Sequence, residues 1–174
     1  MGQIISIKNK LLTKKKRTKE KPKIGIIVQA RMTSRRFPGK SMALLLGKPM
    51  LERVLERLIT IPGTKTVIAV PDTPESEPML KLASNMNVDN FCGSELNVLN
   101  RFFGAAKFFQ FDYIVRVTAD CPFIDPRVCK ECIDLLLFRK LDYCSNIYPT
   151  RTFPTGLDCE VFTYDCLEVA YVLV

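Results

Sequence analysis

Four cationic side chains lie close together in residues 29–42, which read QARMTSRRFPGKSM. They are Arg31, Arg35, Arg36 and Lys40. An arginine guanidinium can donate to two phosphate oxygens at once, and a lysine ammonium supplies a compact positive charge. The stretch also contains Gly39 but no GxxxxGK[ST] pattern, so it differs from a Walker loop. Such a loop suits a polyphosphate, and the alternative interpretation is a solvated cluster of charges.

A second candidate, Asp120, stands in the sequence VTADCP, directly after the apolar run at residues 112–117. A carboxylate there could hold Mg²⁺, which binds proteins through one or two carboxylates together with phosphate oxygens. The simpler alternative is that Asp120 caps a turn. Because the chain contains no histidine, Ser-His and Cys-His catalytic systems are excluded. Phosphoryl transfer needs no histidine, since it depends mainly on positioning and charge neutralisation.

An alternation of strands and helices from Lys23 onward must position these residues. The predicted strands are residues 23–28, 65–70, 88–91, 112–117, 142–146 and 157–163, and the predicted helices are residues 50–59, 77–86, 95–109, 125–138 and 166–174. This order favours an α/β fold with a mostly parallel sheet and helices on both faces. Ligands of such sheets bind beyond the carboxyl ends of the strands. Residues 29–42 and 118–122 should therefore open onto the same edge.

The net charge of +8 belongs to the start of the chain. Residues 1–23 contain nine Lys or Arg and one acidic residue, Glu20, while the rest of the chain is electrically balanced. A general basic face for nucleic acid is therefore not expected. We predict a basic, disordered extension at residues 1–22 and one domain at residues 23–174. The opening MGQIIS fits the N-myristoylation pattern, which together with the lysines could give weak membrane contact; a chance match is the alternative.

The seven cysteines are interpreted as reduced thiols of a cytoplasmic protein, since the sequence shows no secretory signal with its apolar segment. Cys129 and Cys132 form a CxxC pattern inside a predicted helix, without a second such pair. Packing thiols are favoured over a zinc site. No apolar run reaches the length of a membrane span.

The motifs QARMTSRRFPGK and GKPMLERVLERL resemble the opening of a cytidylyltransferase family. It is the spore-coat polysaccharide biosynthesis protein F type, related to acylneuraminate and ketodeoxyoctonate cytidylyltransferases. The resemblance continues through FCGSELNVLNRF, DYIVRVTADCPFIDP, DYCSN and FPTGLDCEVF, and covers residues 24–174. It implies a Rossmann-like fold of the nucleotide-diphospho-sugar transferase type. It also implies transfer of the cytidylyl group from CTP to a sugar, commonly an acidic one, with Mg²⁺ present and pyrophosphate released.

The nucleotide loop of this family matches residues of the cationic stretch. The matching positions are Ala30, Arg31, Ser34, Arg36, Gly39 and Lys40. The resemblance implies that Arg31 and Lys40 clamp the triphosphate, and that the backbone at Ala30 lies near the base and ribose. Arg35 has no counterpart in the family motif, so we expect its substitution to be tolerated.

The resemblance implies three further groups of site residues. Asp120 matches the metal-binding aspartate, which together with Arg31 and Lys40 makes up the expected catalytic set. Gly93 and Ser94 match the segment beside the base. Asp158 and Glu160 of GLDCEVF are candidates for contact with the acceptor sugar.

The chain also departs from the family pattern. Many relatives have an arginine where this chain has Cys92, and acidic residues where it has Leu96 and Asn97. Family members continue past the position of Val174, with a second metal-binding aspartate and much of the expected homodimer contact, so the resemblance implies a domain truncated at its C-terminus. Two alternatives stay open beside the cytidylyltransferase: a nucleotidyltransferase using another base, and a catalytically inactive nucleotide-binding module. The acceptor sugar is not determined.

Overall fold

The computed structural model describes residues 5–7, 21–34, 36–148, 150–151 and 153–173, the first of these ranges by its backbone. The strands are β1 (Ile5–Ile7), β2 (Ile24–Gln29), β3 (Leu44–Leu45), β4 (Lys48–Pro49), β5 (Thr64–Pro71), β6 (Asp89–Gly93), β7 (Tyr113–Thr118), β8 (Tyr143–Ser145) and β9 (Glu160–Thr163). The helices are α1 (Met50–Leu58), α2 (Glu77–Asn85), α3 (Val98–Phe109), α4 (Pro126–Arg139) and α5 (Tyr164–Leu173). Two short 3-10 helices span Lys40–Met42 and Pro74–Ser76.

The main sheet has the strand order β1-β8-β9-β7-β2-β5-β6. The four strands β7, β2, β5 and β6 are parallel neighbours. Strand β9 runs antiparallel to both β7 and β8, and β1 runs antiparallel to β8. Most strands of this sheet thus share one direction, which confirms the α/β prediction. Strands β3 and β4 form a separate two-stranded sheet.

Side chains of the central strands alternate between two apolar layers. Ile26 and Val28 face the layer that includes the buried faces of α1, α2 and α4, while Ile27 faces the layer formed with α3 and α5. All three side chains are fully buried. A strand covered on both faces must be apolar at every position, which is why IGIIV is a continuous apolar run. The prediction of helices on both faces is confirmed.

The predicted elements all occur, and their ends shift by a few residues. Helix α3 starts at Val98 instead of residue 95, because the side chain of Asn97 accepts a hydrogen bond from Asn100 N at 2.8 Å and caps the helix there. Leu96 is part of the predicted helix but precedes the observed one and is 95% exposed. The side chain of Asp125 caps α4 by accepting a hydrogen bond from Arg127 N.

The CxxC thiols belong to the core. Cys129 and Cys132 are fully buried on α4, where they pack in the same cluster as Cys144 and Cys159. All seven cysteines are free thiols. Their burial agrees with the interpretation as packing residues.

The N-terminal segment differs in part from the expectation of disorder. Residues 5–7 form β1, in which Ile5 pairs with Ser145 and Ile7 pairs with Tyr143. Two of its three residues are isoleucines, which favour strands, and β8 offers an otherwise unpaired backbone edge. Residues 1–4 and residues 8–20, which include the run of lysines, lie outside the described residues. Among the helices that the structure describes, none is long and apolar enough to cross a membrane.

One glycine of the central strand gives a test of this packing. A Cβ atom on Gly25 would lie 2.0 Å from Cδ2 of Phe111, whose side chain is only 2% exposed. We expect Gly25→Ala to lower the free energy of unfolding by about 1–3 kcal/mol, because the ring has no room to move. Chemical denaturation measures the change.

A matched pair of variants controls for the loss of glycine itself. Gly25→Ala should cost less stability when it is introduced into Phe111→Leu, whose smaller side chain leaves space for the added methyl group. Equal costs in the two backgrounds would contradict the predicted contact between Gly25 and Phe111.

Candidate functional site

The two loops singled out in the sequence leave the sheet side by side. Strands β2 and β7 are parallel neighbours, and Gln29 is paired with Thr118 at their carboxyl ends. Just beyond, Ala119 N donates to Gln29 O at 2.9 Å. The expectation that residues 29–42 and 118–122 open onto the same edge is therefore confirmed.

Lys40 and Asp120 meet across this edge. Lys40 Nζ lies 2.9 Å from Asp120 Oδ2, although the residues are 80 positions apart in the chain. Their side chains are 36% and 45% exposed. An ion pair this exposed contributes about 0–1 kcal/mol to stability. Both groups can therefore exchange this contact for a ligand at little cost.

The cationic loop, residues 29–42, is held in shape by hydrogen bonds to its own backbone. Gly39 has a φ of 70°, in the left-handed region that glycine adopts without strain. This conformation lets Gly39 N donate to Met32 O at 2.9 Å, which closes the loop. The buried hydroxyl of Ser41 donates to Arg31 O at 3.1 Å and fixes the start of the loop. The backbone that carries Arg31 and Lys40 is thus tied down without using their charged groups.

Asp120 is held in its charged form. Burial acts to raise the pKa of its carboxyl, but hydrogen bonds from the Thr118 hydroxyl and the Lys40 ammonium, together with the Lys40 charge, outweigh burial and lower the pKa. A carboxyl with a lowered pKa is ionised throughout the neutral range. The edge therefore presents one permanent negative charge beside Lys40.

The other predicted loop residues are placed around this pair. Arg31 and Arg36 are exposed, and Ser34 is half-buried, with its backbone N–H donating to Met32 O at 2.9 Å. Ala30 is buried at the end of β2, where its N–H donates to Ala69 O at 3.2 Å. Arg35 lies outside the described residues.

Gly93 is the last residue of β6 and Ser94 follows it, at the same edge but on the far side of β5. Asp72 N donates to Gly93 O at 2.8 Å, which joins the ends of β5 and β6. The carbonyl of Ser94 accepts a hydrogen bond from Nη1 of Arg101. Glu95 then accepts from the Thr33 hydroxyl at 3.2 Å and links this segment to the cationic loop. The structure thus brings both predicted nucleotide segments together.

Arg101 is a further residue of this region that was not predicted from the sequence. This residue lies in the first turn of α3, is 0% exposed, and is the largest fully buried side chain in the part of the chain that the structure describes. Its signal in the sequence is an arginine directly before the apolar pair Phe102-Phe103. A charged residue on the buried face of an amphipathic helix is unusual enough to flag a site.

The two acceptor candidates are separated by the structure. Asp158 precedes β9 and forms an ion pair with Arg151. Since Glu160 is paired with Arg116 in the antiparallel register, residue 158 lies level with Thr118 at the end of β7. Asp158 therefore belongs to the edge that carries Asp120.

Glu160 instead lies within the sheet, on the face covered by α3 and α5. It accepts a hydrogen bond from the Tyr143 hydroxyl at 2.8 Å and forms an ion pair with Arg116. Burial, first, and the nearby Glu160 carboxylate raise the pKa of Tyr143. The three side chains line an otherwise apolar cavity of about 400 Å³ with Phe102. Glu160 has partners inside the fold and does not join the Lys40–Asp120 pair.

The oxygen donor set at the edge fits Mg²⁺ only with help from a ligand. Within the described ranges, no group of three or more His, Cys, Asp or Glu side chains is placed to hold a metal ion. Asp120 supplies one ionised carboxylate, and Mg²⁺ commonly uses one or two carboxylates with phosphate oxygens and water. Asp120 is thus a suitable single protein ligand for a metal that arrives with a polyphosphate.

Comparisons with known proteins identify relatives over most of the chain. A family model described as Cytidylyltransferase matches residues 25–170. An uncharacterized protein of Methanocaldococcus jannaschii is 37% identical over 150 residues, which are 86% of this chain and 60% of that protein. A protein of Pectobacterium carotovorum subsp. carotovorum named 3-deoxy-manno-octulosonate cytidylyltransferase is 31% identical over 133 residues, which are 73% of this chain and 51% of that protein.

A solved structure gives the same result for the fold. The structure of a cytidylyltransferase from Leptospira borgpetersenii superposes with a TM-score of 0.84 at 32% identity, covering 88% of this chain and 66% of that chain. The expected fold, that of the nucleotide-diphospho-sugar transferases, is confirmed. The chain spans about half to two-thirds of the length of these proteins. With the family model matched from Gly25 to Ala170 and the sequence resemblance confirmed, this chain belongs to the cytidylyltransferase family.

Proposed function

We propose that this chain binds CTP and serves as the nucleotide-binding part of an enzyme that couples CTP to a sugar with release of pyrophosphate. The observation that carries the proposal is the contact between Lys40 and Asp120 at 2.9 Å. It sets a cation and an ionised carboxylate side by side at the carboxyl ends of two parallel strands. A polyphosphate needs the cation, and its accompanying metal ion needs the carboxylate.

The order of the strands suggests how CTP would lie. At this edge, Asp120 follows β7 and the cationic loop follows β2. The Gly93–Ser94 segment lies at the end of β6. With neighbouring strands about 4.8 Å apart, the ends of β7 and β6 are separated by about 14 Å. In the proposal the triphosphate contacts Arg31 and Lys40, with Ser34, Arg36 and the backbone at Gly39 around it. The nucleoside lies between Ala30 and the Gly93–Ser94 segment.

The proposed reaction joins an acceptor hydroxyl to the α-phosphate of CTP. A new bond forms between the hydroxyl oxygen and the α-phosphorus. The bond between the α-phosphorus and the oxygen that bridges it to the β-phosphate breaks, and pyrophosphate leaves. The hydroxyl proton passes to a base. The Lys40 ammonium would donate to phosphate oxygens on which negative charge develops. Mg²⁺ held by Asp120 would supply further charge neutralisation when bound.

The acceptor is proposed to be a sugar, and an acidic one is supported by the name of the Pectobacterium relative. Asp158 is the better placed of the two acceptor candidates, because it lies at the Asp120 edge. Arg151, its ion-pair partner, is a cation that could meet a sugar carboxylate there. Use of the product in surface polysaccharide or glycan synthesis, and assembly as a homodimer, are parts of the same proposal.

Calorimetric titration of nucleotides with and without Mg²⁺ tests the function. CTP should bind more tightly than UTP, ATP or GTP. Its binding should reach high affinity only when Mg²⁺ is present. If another nucleotide bound more tightly than CTP, that nucleotide would replace CTP as the proposed substrate. CTP binding without pyrophosphate release, in the presence of a panel of sugar acids, would favour a catalytically inactive binding module.

The cationic loop gives a second test. Arg31→Ala and Lys40→Ala are each expected to weaken CTP binding by more than about 1.4 kcal/mol, or tenfold, because each removes a charge-assisted contact with phosphate. The titration above measures the change. Lys107→Ala is the matched control, since Lys107 is exposed near the end of α3 that lies away from this edge.

Arg35→Ala should also be tolerated, as its lack of a counterpart in the family motif predicts. If Arg31→Ala and Lys40→Ala bound CTP as well as Lys107→Ala does, the loop would be only a solvated cluster of charges.

Asp120 gives a third test. Asp120→Asn keeps the shape of the side chain but removes its charge, so Mg²⁺-dependent CTP affinity should fall while the melting temperature changes little. Because its folded-state pKa is lowered, the carboxylate stays charged until the pH falls below its ordinary range. The ratio of wild-type to Asp120→Asn affinity should therefore be constant from about pH 8 to about pH 5.

A ratio that declines within this range would show that the pKa of the carboxyl is raised, against the effect of Thr118 and Lys40. Identical Mg²⁺ dependence in the two proteins would reduce Asp120 to a residue that caps a turn.

A further inference from the structure

Arg101 is a cation buried within the fold, in the first turn of α3. Its side chain is fully buried, and one of its nitrogens, Nη1, donates to the backbone carbonyl of Ser94. The other two, Nε and Nη2, are buried without a hydrogen-bond partner among the residues that the structure describes. Among the described residues, no ion pair joins Arg101 to an acidic side chain. Stability alone does not account for such an arrangement, because removing a guanidinium from water is unfavourable unless its donors are satisfied.

Arg101 interacts electrostatically with residues of both predicted nucleotide segments. Burial, first, and the nearby positive charge of Arg31 lower the pKa of the Arg101 guanidinium, while the Glu95 carboxylate opposes them. Arg31 belongs to the cationic loop and Glu95 to the segment after β6. Arg101 is therefore placed under the junction of the two segments to which the proposed function assigns the nucleotide.

The segment above Arg101 depends on it for its position. A Cβ atom on Gly93 would lie 3.2 Å from Cγ of Arg101 and 2.9 Å from Phe91, so the backbone rests directly on these side chains. The hydrogen bond from Arg101 to Ser94 then fixes the direction of the next carbonyl. A charge-assisted hydrogen bond holds this orientation more firmly than a neutral donor would. Glu95 continues the connection to Thr33 of the cationic loop.

We propose that Arg101 is a positioning residue for the nucleoside half of the bound nucleotide. It acts through the Ser94 carbonyl, which it holds in place as part of the surface that receives the base and ribose. This inference rests on the proposed function, since it assumes that CTP lies with its triphosphate at Lys40 and Asp120. It goes beyond that function in assigning a role to a buried residue that need not touch the ligand.

The test compares binding of CTP with binding of tripolyphosphate, which has the phosphates but no nucleoside. Both are titrated in the presence of Mg²⁺ into the full chain and into Arg101→Met, Arg101→Lys and Arg139→Met. Methionine keeps the length of the buried stem without donors, and lysine keeps the positive charge with an ammonium group that can still donate. Arg139 is the matched control, because it is exposed at the carboxyl end of α4. Melting temperatures are recorded for every variant.

We expect Arg101→Met to bind CTP about tenfold more weakly, because the Ser94 carbonyl loses its charged donor. Its tripolyphosphate affinity should stay within about twofold of wild type, since the cationic loop is unchanged. Arg101→Lys should recover part of the loss, and Arg139→Met should match wild type. A residue needed only for folding would lower the melting temperature and weaken both ligands alike.

Three results would overturn the inference. Wild type and Arg101→Met could bind CTP equally well, or Arg101→Met could lose tripolyphosphate as strongly as CTP. If Arg101→Met does not fold, Arg101→Lys is used for the test. The role is rejected if the ratio of CTP affinity to tripolyphosphate affinity is the same in Arg101→Lys and in wild type. If wild type itself fails to bind CTP, the proposed function is wrong and the inference falls with it.

Discussion

The parallel pairing of β2 with β7 is the constraint on which the rest of the site depends. These strands are far apart in sequence, yet they are adjacent in the sheet and end together at Gln29 and Thr118. One backbone hydrogen bond beyond that point, from Ala119 to Gln29, fixes how the two loops diverge. A slip of the register by one residue would turn Val115 and Val117 out of the core layer they share with Ile26 and would separate the loops. Burial on both faces thus specifies the geometry of the edge.

Charge is distributed at this edge according to exposure. Lys40 and Asp120 form an exposed pair that contributes little to stability and can readily change partners. Arg101 is the opposite case, because its charge is buried and held by the backbone of Ser94. The first arrangement suits groups that must contact a ligand and its metal ion. The second suits a group that keeps a nearby segment in place.

The two faces of the sheet divide the remaining polar residues. Asp158 lies at the edge beside the candidate nucleotide site, whereas Glu160, two positions later, is half-buried and paired with Arg116 and Tyr143 on the face of the sheet covered by α3 and α5. Half-buried polar groups are satisfied when they pair with one another in this way. Glu160 therefore has a structural explanation that does not require an acceptor sugar, while Asp158 retains the proposed role.

The sequence by itself determined the order of strands and helices, the two core layers and the positions of the cationic loop and Asp120 after strands. These features follow from apolar periodicity and from local signals such as Gly39, which depend on near neighbours in the chain. It did not determine that Lys40 contacts Asp120, that Arg101 lies beneath Ser94, or that β1 pairs with β8. Nor did it separate Asp158 from Glu160. Each of these depends on strand order and register between distant segments, and only the tertiary structure decides which distant residues become neighbours.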